Sequence, residues 1–277
     1  MKIMKSNEKA EKIKSMKGKK PVSCLTGYDF ATGKLLDEAG VDLILVGDSL
    51  GMVVLGFPDT THVTMTHMLH HTAAVARGVE NALVVGDLPI HSYDAPEQAV
   101  ENAQRLVKEG ADAVKLEGGV KQVDKVKAII DTGIPVFGHM GMLPQRVLTE
   151  GGYKKKGKSD DEVGAIIEGC LALEKAGCFA IVLESVVGKS AAKVTDTLKI
   201  PTVGIGCGVG NCDGEIAVIT DVIGAYPWFV PPFATVRADV AGDTKRAAEA
   251  YIAAMKMRYL VARGDADLIG VASKENI

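Results

Sequence analysis

Short runs rich in Val, Ile and Leu recur along the chain, each followed by a stretch with helical spacing. This alternation constrains the fold more than any other feature. The runs cover residues 22–26, 43–47, 82–86, 113–116, 135–138, 180–183 and 202–205. Strands that are apolar throughout, rather than at every second position, are covered on both faces, and this is the condition of a parallel sheet. Between them, residues 31–39, 65–77, 96–109 and 160–176 place apolar or small side chains on one helical face. Each stops at a glycine: Gly40, Gly78, Gly110 and Gly177. For residues 96–109, Asp94 reads as the cap, with Pro96 in the first turn. An eighth strand is predicted at residues 215–220, with Asp221 at its end. Eight strand–helix units predict an α/β fold closed as a (β/α)8 TIM barrel. Residues 5–17 read as an extra amphipathic helix that caps the barrel bottom, and a terminal helix is predicted over 244–261. No Ser- or Gly-rich linker divides the sequence. The expectation is one domain over 1–277, with a helical extension at 1–20 and a C-terminal helix and tail at 241–277.

The strand runs end in polar residues. Asp48 and Asp87 each follow a glycine, Lys115 and Glu117 close the fourth run, His139 the fifth and Glu184 the sixth. In a barrel these ends share one mouth, the catalytic face. Carboxylate oxygens are hard ligands that suit Mg²⁺. Asp48 and Asp87 are therefore candidate metal ligands, with Glu117 completing the site directly or through water. A single Asp is better explained as a helix cap or a turn bond; three carboxylates on neighbouring strand ends favour the metal. Lys115 and Glu117 are two residues apart and project to the same side. Lys115 either neutralises the carboxylates or holds a substrate carboxylate or developing oxyanion. Glu184 suits a general base, with a structural ion pair as the alternative.

Other motifs carry less. The histidines His62, His67, His70 and His71 have spacing that zinc can use, but no Cys or carboxylate completes the set, and a helix surface is the simpler reading. Gly204, Gly206, Gly208 and Gly210 do not form a dinucleotide-binding GxGxxG; they let backbone approach a ligand or a neighbouring loop. Residues 154–158 form a basic loop. The long connections 50–64 and 141–159 are of the kind that covers active sites.

The formal net charge of -3 gives no reason to expect nucleic acid or an anionic membrane as partner. No run of about 18 apolar residues is free of charge, and the Lys- and Glu-rich start lacks the apolar core of a signal peptide. The five cysteines are odd in number and have no CxxC pair. Reduced thiols in a cytoplasmic protein are expected.

The segments YDFATGKLLDEAGVDLILVGDSLGMVVLG, TMTHMLHHTAAVARG, ENAQRLVKEGADAVKLEGG, GHMGMLPQ, GGYKKKGK, FAIVLES and IPTVGIGCG closely resemble ketopantoate hydroxymethyltransferase. VGDSLGMVVLG and DAVKLEGG are the most specific. The resemblance implies a barrel of the phosphoenolpyruvate/pyruvate superfamily. It implies transfer of a hydroxymethyl group from 5,10-methylenetetrahydrofolate to 3-methyl-2-oxobutanoate, giving 2-dehydropantoate on the way to pantothenate. By the same resemblance, Asp48, Asp87 and Glu117 match the Mg²⁺ site. Asp48, Ser49, Asp87 and Lys115 match residues that hold the keto acid, Glu184 matches the general base, and His139 lies near the site. A homodecamer is also implied. Three segments depart from the family pattern: Asp213-Gly214-Glu215 where Gln is usual after Asp-Gly, residues 224–240 with Trp228, and GGYKKKGK. Two rival expectations are another Mg²⁺-dependent 2-keto-acid enzyme of the superfamily, such as a carbon–carbon lyase or phosphonopyruvate mutase, and a non-catalytic binding protein on the same scaffold.

Overall fold

The computed structural model describes residues 2–263. Its strands are β1 (Val22–Thr26), β2 (Leu43–Val46), β3 (Leu83–Asp87), β4 (Ala113–Lys115), β5 (Val136–Gly141), β6 (Ala180–Glu184), β7 (Thr202–Ile205) and β8 (Gly214–Ala217). All pair in parallel, in sequence order, and β8 pairs back onto β1 to close the barrel. The helices are α1 (Lys2–Lys14), α2 (Phe30–Glu38), α3 (Leu50–Val53), α4 (Met65–Ala76), α5 (Pro96–Glu109), α6 (Val123–Asp131), α7 (Asp160–Ala176), α8 (Gly188–Thr197), α9 (Ile219–Val222) and α10 (Val240–Arg263).

Alternation along each strand sorts side chains to the two faces. One core cluster joins Val22 and Cys24 of β1, Leu43 and Leu45 of β2, Leu83 and Val85 of β3, Phe137 of β5, and Ala180 and Val182 of β6. These are every-second positions and fill the barrel interior. The intervening residues Ile44, Val84, Val114, Ile181 and Leu183 are buried too, under the helices. Both faces are covered, which is why the strands read as unbroken apolar runs.

The interior parity has a functional consequence. Continuing it by one or two positions past the apolar layer reaches Asp87, Lys115, Glu117, His139 and Glu184. The pattern that fills the core therefore aims these five residues at the axis of the mouth.

At the opposite end, Ala10 and Ile13 of α1, with Met16, belong to the same core cluster. Ser6 Oγ donates to Asp112 Oδ1 at 2.9 Å, Lys9 Nζ reaches Asp112 at 3.1 Å, and Lys17 Nζ reaches Asp213 at 2.8 Å. Asp112 and Asp213 immediately precede β4 and β8, so α1 plugs the bottom as expected.

Two local expectations are corrected. The cap position of α5 is Ala95, with no side-chain cap bond, and Asp94 instead lies 3.5 Å from His91. Pro96 at the first helical position holds Ala95 extended and takes over the start of the helix. The eighth strand is short and ends at Ala217, so Asp221 lies in the helical turn α9 and not at a strand tip. There the backbone N–H of Ile219 donates to Thr26 Oγ1 at 2.9 Å, which begins a turn in place of further ladder.

The longest barrel helix, α7, is punctuated as the sequence suggests. Ser159 Oγ accepts from the Glu162 backbone N–H at 3.3 Å, and Gly177 closes the helix in the left-handed region at φ 107°. Ser159→Ala is expected to lower stability by about 1 kcal/mol, read from the midpoint of denaturant unfolding at unchanged slope.

Contacts group the chain into two compact units, and no linker composition marks the division. The first comprises residues 1–219 and 232–234, the barrel; the second comprises 220–231 and 235–277. In the second unit, the Arg237 and Val240 backbone N–H groups donate to the carbonyls of Val222 and Ile223, at 2.8 and 3.1 Å. Its helix α10 buries none of its side chains. The tail expected after this helix, residues 264–277, lies outside the described residues. Among the described residues no helix is long and apolar enough to cross a membrane.

Candidate active site

Lys115 stands at the centre of the mouth. The β3–β4 register pairs Asp87 with Lys115, and the Lys115 ammonium lies 2.8 Å from each Asp87 oxygen. It lies 3.5 Å from Glu117 Oε1. All three residues are nearly inaccessible. Burial disfavours the ammonium, but Asp87, then Glu117 and Asp48, outweigh it and push its pKa up. Lys115 is therefore charged. Glu117 is pulled below the usual carboxylate range: burial alone would raise it, and Lys115 and His139 overcome that.

His139 bridges the two remaining carboxylates. Its Nδ1 is 3.4 Å from Glu117 Oε1, and its Nε2 is 3.3 Å from Glu184 Oε2. Neither contact has hydrogen-bond geometry, so both are ion-pair contacts. Burial would lower the imidazole pKa; Glu117 and then Glu184 override it and push it up to about 9. An imidazolium between two carboxylates is the resulting state at neutral pH. Glu184, at the tip of β6, keeps a side chain 19% exposed, whereas His139 and Glu117 keep 1% each. Of the three, only Glu184 faces open solvent, where a substrate arrives. Its strand neighbour Gly141 has φ 99°, and a Cβ there would come within 2.3 Å of the Glu184 carbonyl oxygen, so only glycine fits.

Asp48 follows the Gly47 turn after β2. Its backbone N–H donates to Asp87 Oδ2 at 3.2 Å, so the two aspartates adjoin. Burial raises the pKa of both. Asp87 raises Asp48 further, and Lys115 works against the shift in each.

Sequence reasoning missed three contributors. Gln145 Nε2 donates to Asp48 Oδ2 at 2.9 Å, and the Gln145 backbone N–H donates to Glu117 Oε2 at 3.1 Å. The Tyr93 hydroxyl donates to Gln145 Oε1. The hydroxyls of Tyr28 and Ser49 lie 2.8 Å apart. Gln145 and Tyr28 fall inside the distinctive segments GHMGMLPQ and YDFATGKLLD. A polar residue straight after Met-Leu-Pro was the available signal for the first.

The two long connections meet above this mouth, where Tyr153 Oη contacts Met52 Sδ at 3.6 Å. Burial, then Glu184, push the Tyr153 phenol up to about 12. The histidine stretch serves the scaffold instead. His67 completes a capping box with Thr64 at the start of α4, and His71 Nδ1 lies 2.6 Å from the Tyr28 carbonyl oxygen. Cys24, Cys170, Cys178 and Cys207 are buried free thiols, and Cys212 is half-buried.

Among the described residues, no three His, Cys, Asp or Glu side chains converge as ready ligands of a metal ion. A hard divalent cation does not require three, since Mg²⁺ keeps several waters and takes one or two carboxylates. The adjoining, buried Asp48 and Asp87 fit that need, because like charges held close in a desolvated mouth are what a cation relieves. Both Glu117 oxygens are engaged, by Lys115 and His139 and by the Gln145 amide, which suits it to contact through water.

A family model described as ketopantoate hydroxymethyltransferase matches residues 7–260. The 3-methyl-2-oxobutanoate hydroxymethyltransferase of Dehalococcoides mccartyi is 49% identical over 87% of this chain and 86% of its own length. That of Ignicoccus hospitalis is 52% identical over 80% and 84%. Among solved structures, phosphonopyruvate hydrolase bound to oxalate and Mg²⁺ superposes with a TM-score of 0.60 at 14% identity, covering 78% of this chain and 83% of that one. Phosphoenolpyruvate phosphomutase of Streptomyces platensis superposes with a TM-score of 0.57 at 16% identity, covering 76% and 80%. At such identities these two share the barrel fold.

Proposed function

This chain belongs to the ketopantoate hydroxymethyltransferase family and is a hydroxymethyltransferase acting on 3-methyl-2-oxobutanoate; from that premise we propose that its barrel mouth works with Mg²⁺ and takes its one-carbon unit from 5,10-methylenetetrahydrofolate. The observation that carries the reading is the linked set Asp48, Asp87, Lys115, Glu117, His139 and Glu184 around one buried ammonium. Asp48 and Asp87, with Glu117 directly or through water, would hold the cation, which would supply Lewis acidity to a bound 2-keto acid.

The chain's own residues divide the remaining work. Lys115, fixed and charged, offers preorganised positive potential to the oxygen that gains charge when C3 loses its proton. Ser49, held by Tyr28, and Asp48, Asp87 and Lys115 orient the keto acid. Glu184, the least buried of the set, takes the C3 proton. The His139 imidazolium faces Glu184 and ties it to Glu117. Residues 141–159 screen the mouth from water while the one-carbon unit passes.

The test is turnover with 3-methyl-2-oxobutanoate and methylenetetrahydrofolate, with and without EDTA. Activity is expected to fall with the chelator and return on adding Mg²⁺. Full activity after exhaustive chelation overturns the metal reading; failure to use the folate donor overturns the donor.

We further propose a homo-oligomer, a decamer by family resemblance, located in the cytoplasm and independent of nucleic acid and membrane. Exposed apolar side chains along α10, among them Tyr251, Ile252, Tyr259 and Val261, support self-association.

A further inference from the structure

We propose that Gln145 is a positioning residue for this reaction: its amide orients Asp48, and its backbone N–H orients Glu117, so that the acidic side of the mouth is preset to receive a cation. The inference rests on the reading of Asp48 and Asp87 as cation ligands.

Gln145 lies on the single helical turn Pro144–Arg146 beyond β5 and is 3% exposed. Its side chain is fully used. Nε2 donates to Asp48 Oδ2 and to the Leu88 carbonyl, both at 2.9 Å, and Oε1 accepts from the Tyr93 hydroxyl. The two ends of the amide are told apart by these partners: two acceptors face one end and a hydroxyl faces the other. Rotating the amide would break all three bonds at a buried position, where an unpaired polar group is costly. The backbone N–H of the same residue holds Glu117 Oε2 at 3.1 Å. The Glu117 backbone N–H in turn donates to Tyr93 Oη at 3.4 Å, which closes the circuit.

The chemistry of an amide explains the choice of residue. Asp87 has an ammonium in direct contact. Asp48 is held by an uncharged donor. An amide fixes one carboxylate oxygen, and so the direction of the other, without neutralising the group. A Lys or Arg at this position would hold Asp48 equally well and cancel the charge that attracts a cation. Partners behind a ligand that fix its orientation commonly change metal affinity by 10–100-fold when removed.

The experiment is a calorimetric titration of Mg²⁺, with 3-methyl-2-oxobutanoate present, into wild type and Gln145→Met, beside thermal unfolding of each. Met keeps the length and removes all three side-chain bonds. Expected is a Kd for the cation at least about tenfold weaker in a folded variant. A purely structural role would lower the unfolding midpoint and leave that Kd unchanged, and this result overturns the proposal. If Gln145→Met does not fold, Tyr93→Phe decides. It keeps the packing and frees the amide, so a weaker Kd is expected, and the wild-type value overturns the proposal. Wild type that binds no divalent cation at all defeats the metal reading itself, and with it this inference.

Discussion

Glu184→Gln is expected to abolish exchange of the C3 hydrogen of 3-methyl-2-oxobutanoate in deuterated water, while the keto acid still binds. The substitution keeps shape and removes the one group at the mouth that is acidic, partly open and in contact with an imidazolium. Loss of a positioned general base costs about 10²- to 10⁴-fold in rate. The alternative bases are poorly placed. Glu117 is buried, and its oxygens are engaged by Lys115, His139 and the Gln145 N–H. Asp87 is clamped by Lys115. Exchange followed by proton NMR separates proton removal from the later transfer step, and binding is checked by calorimetry. Exchange at the wild-type rate removes Glu184 from this role.

Asp87→Ala is expected to damage both stability and metal binding. It leaves the Lys115 ammonium buried with its closest partner gone. Breaking a buried pair from one side costs about 3–5 kcal/mol. The same change removes one of two proposed cation ligands, so Mg²⁺ affinity should be lost in calorimetry. The two effects are separable. In the double variant Asp87→Ala/Lys115→Met neither charge remains, and much of the lost stability should return while cation affinity does not. Denaturant midpoints of wild type, both single variants and the double variant supply the cycle. Wild-type stability in Asp87→Ala would show that the ammonium is not held as described, and wild-type cation affinity would remove Asp87 from the ligand set.

The largest departures between sequence pattern and structure fall at the ends of elements. The run 215–220 stays apolar through Ile219, but the ladder stops at Ala217 and the Ile219 N–H turns to Thr26 Oγ1, so Asp221 falls in a helical turn. The start of α5 was misassigned because a carboxylate two residues before a proline resembles a cap, while the proline itself fixes the first turn.

Periodicity alone determined the barrel, the ring of polar strand ends and their shared mouth, because alternation along a covered parallel strand dictates which side chains point inward and where the apolar layer stops. It also singled out Asp48, Asp87, Lys115, Glu117, His139 and Glu184. It did not determine which of these touch. That Lys115 grips Asp87, that His139 spans Glu117 and Glu184, and that Gln145 reaches Asp48 across 97 residues of sequence were decided by strand register and loop path. Those follow from packing the whole ring at once, and a hydrogen bond a few ångströms long records nothing in the sequence near either partner.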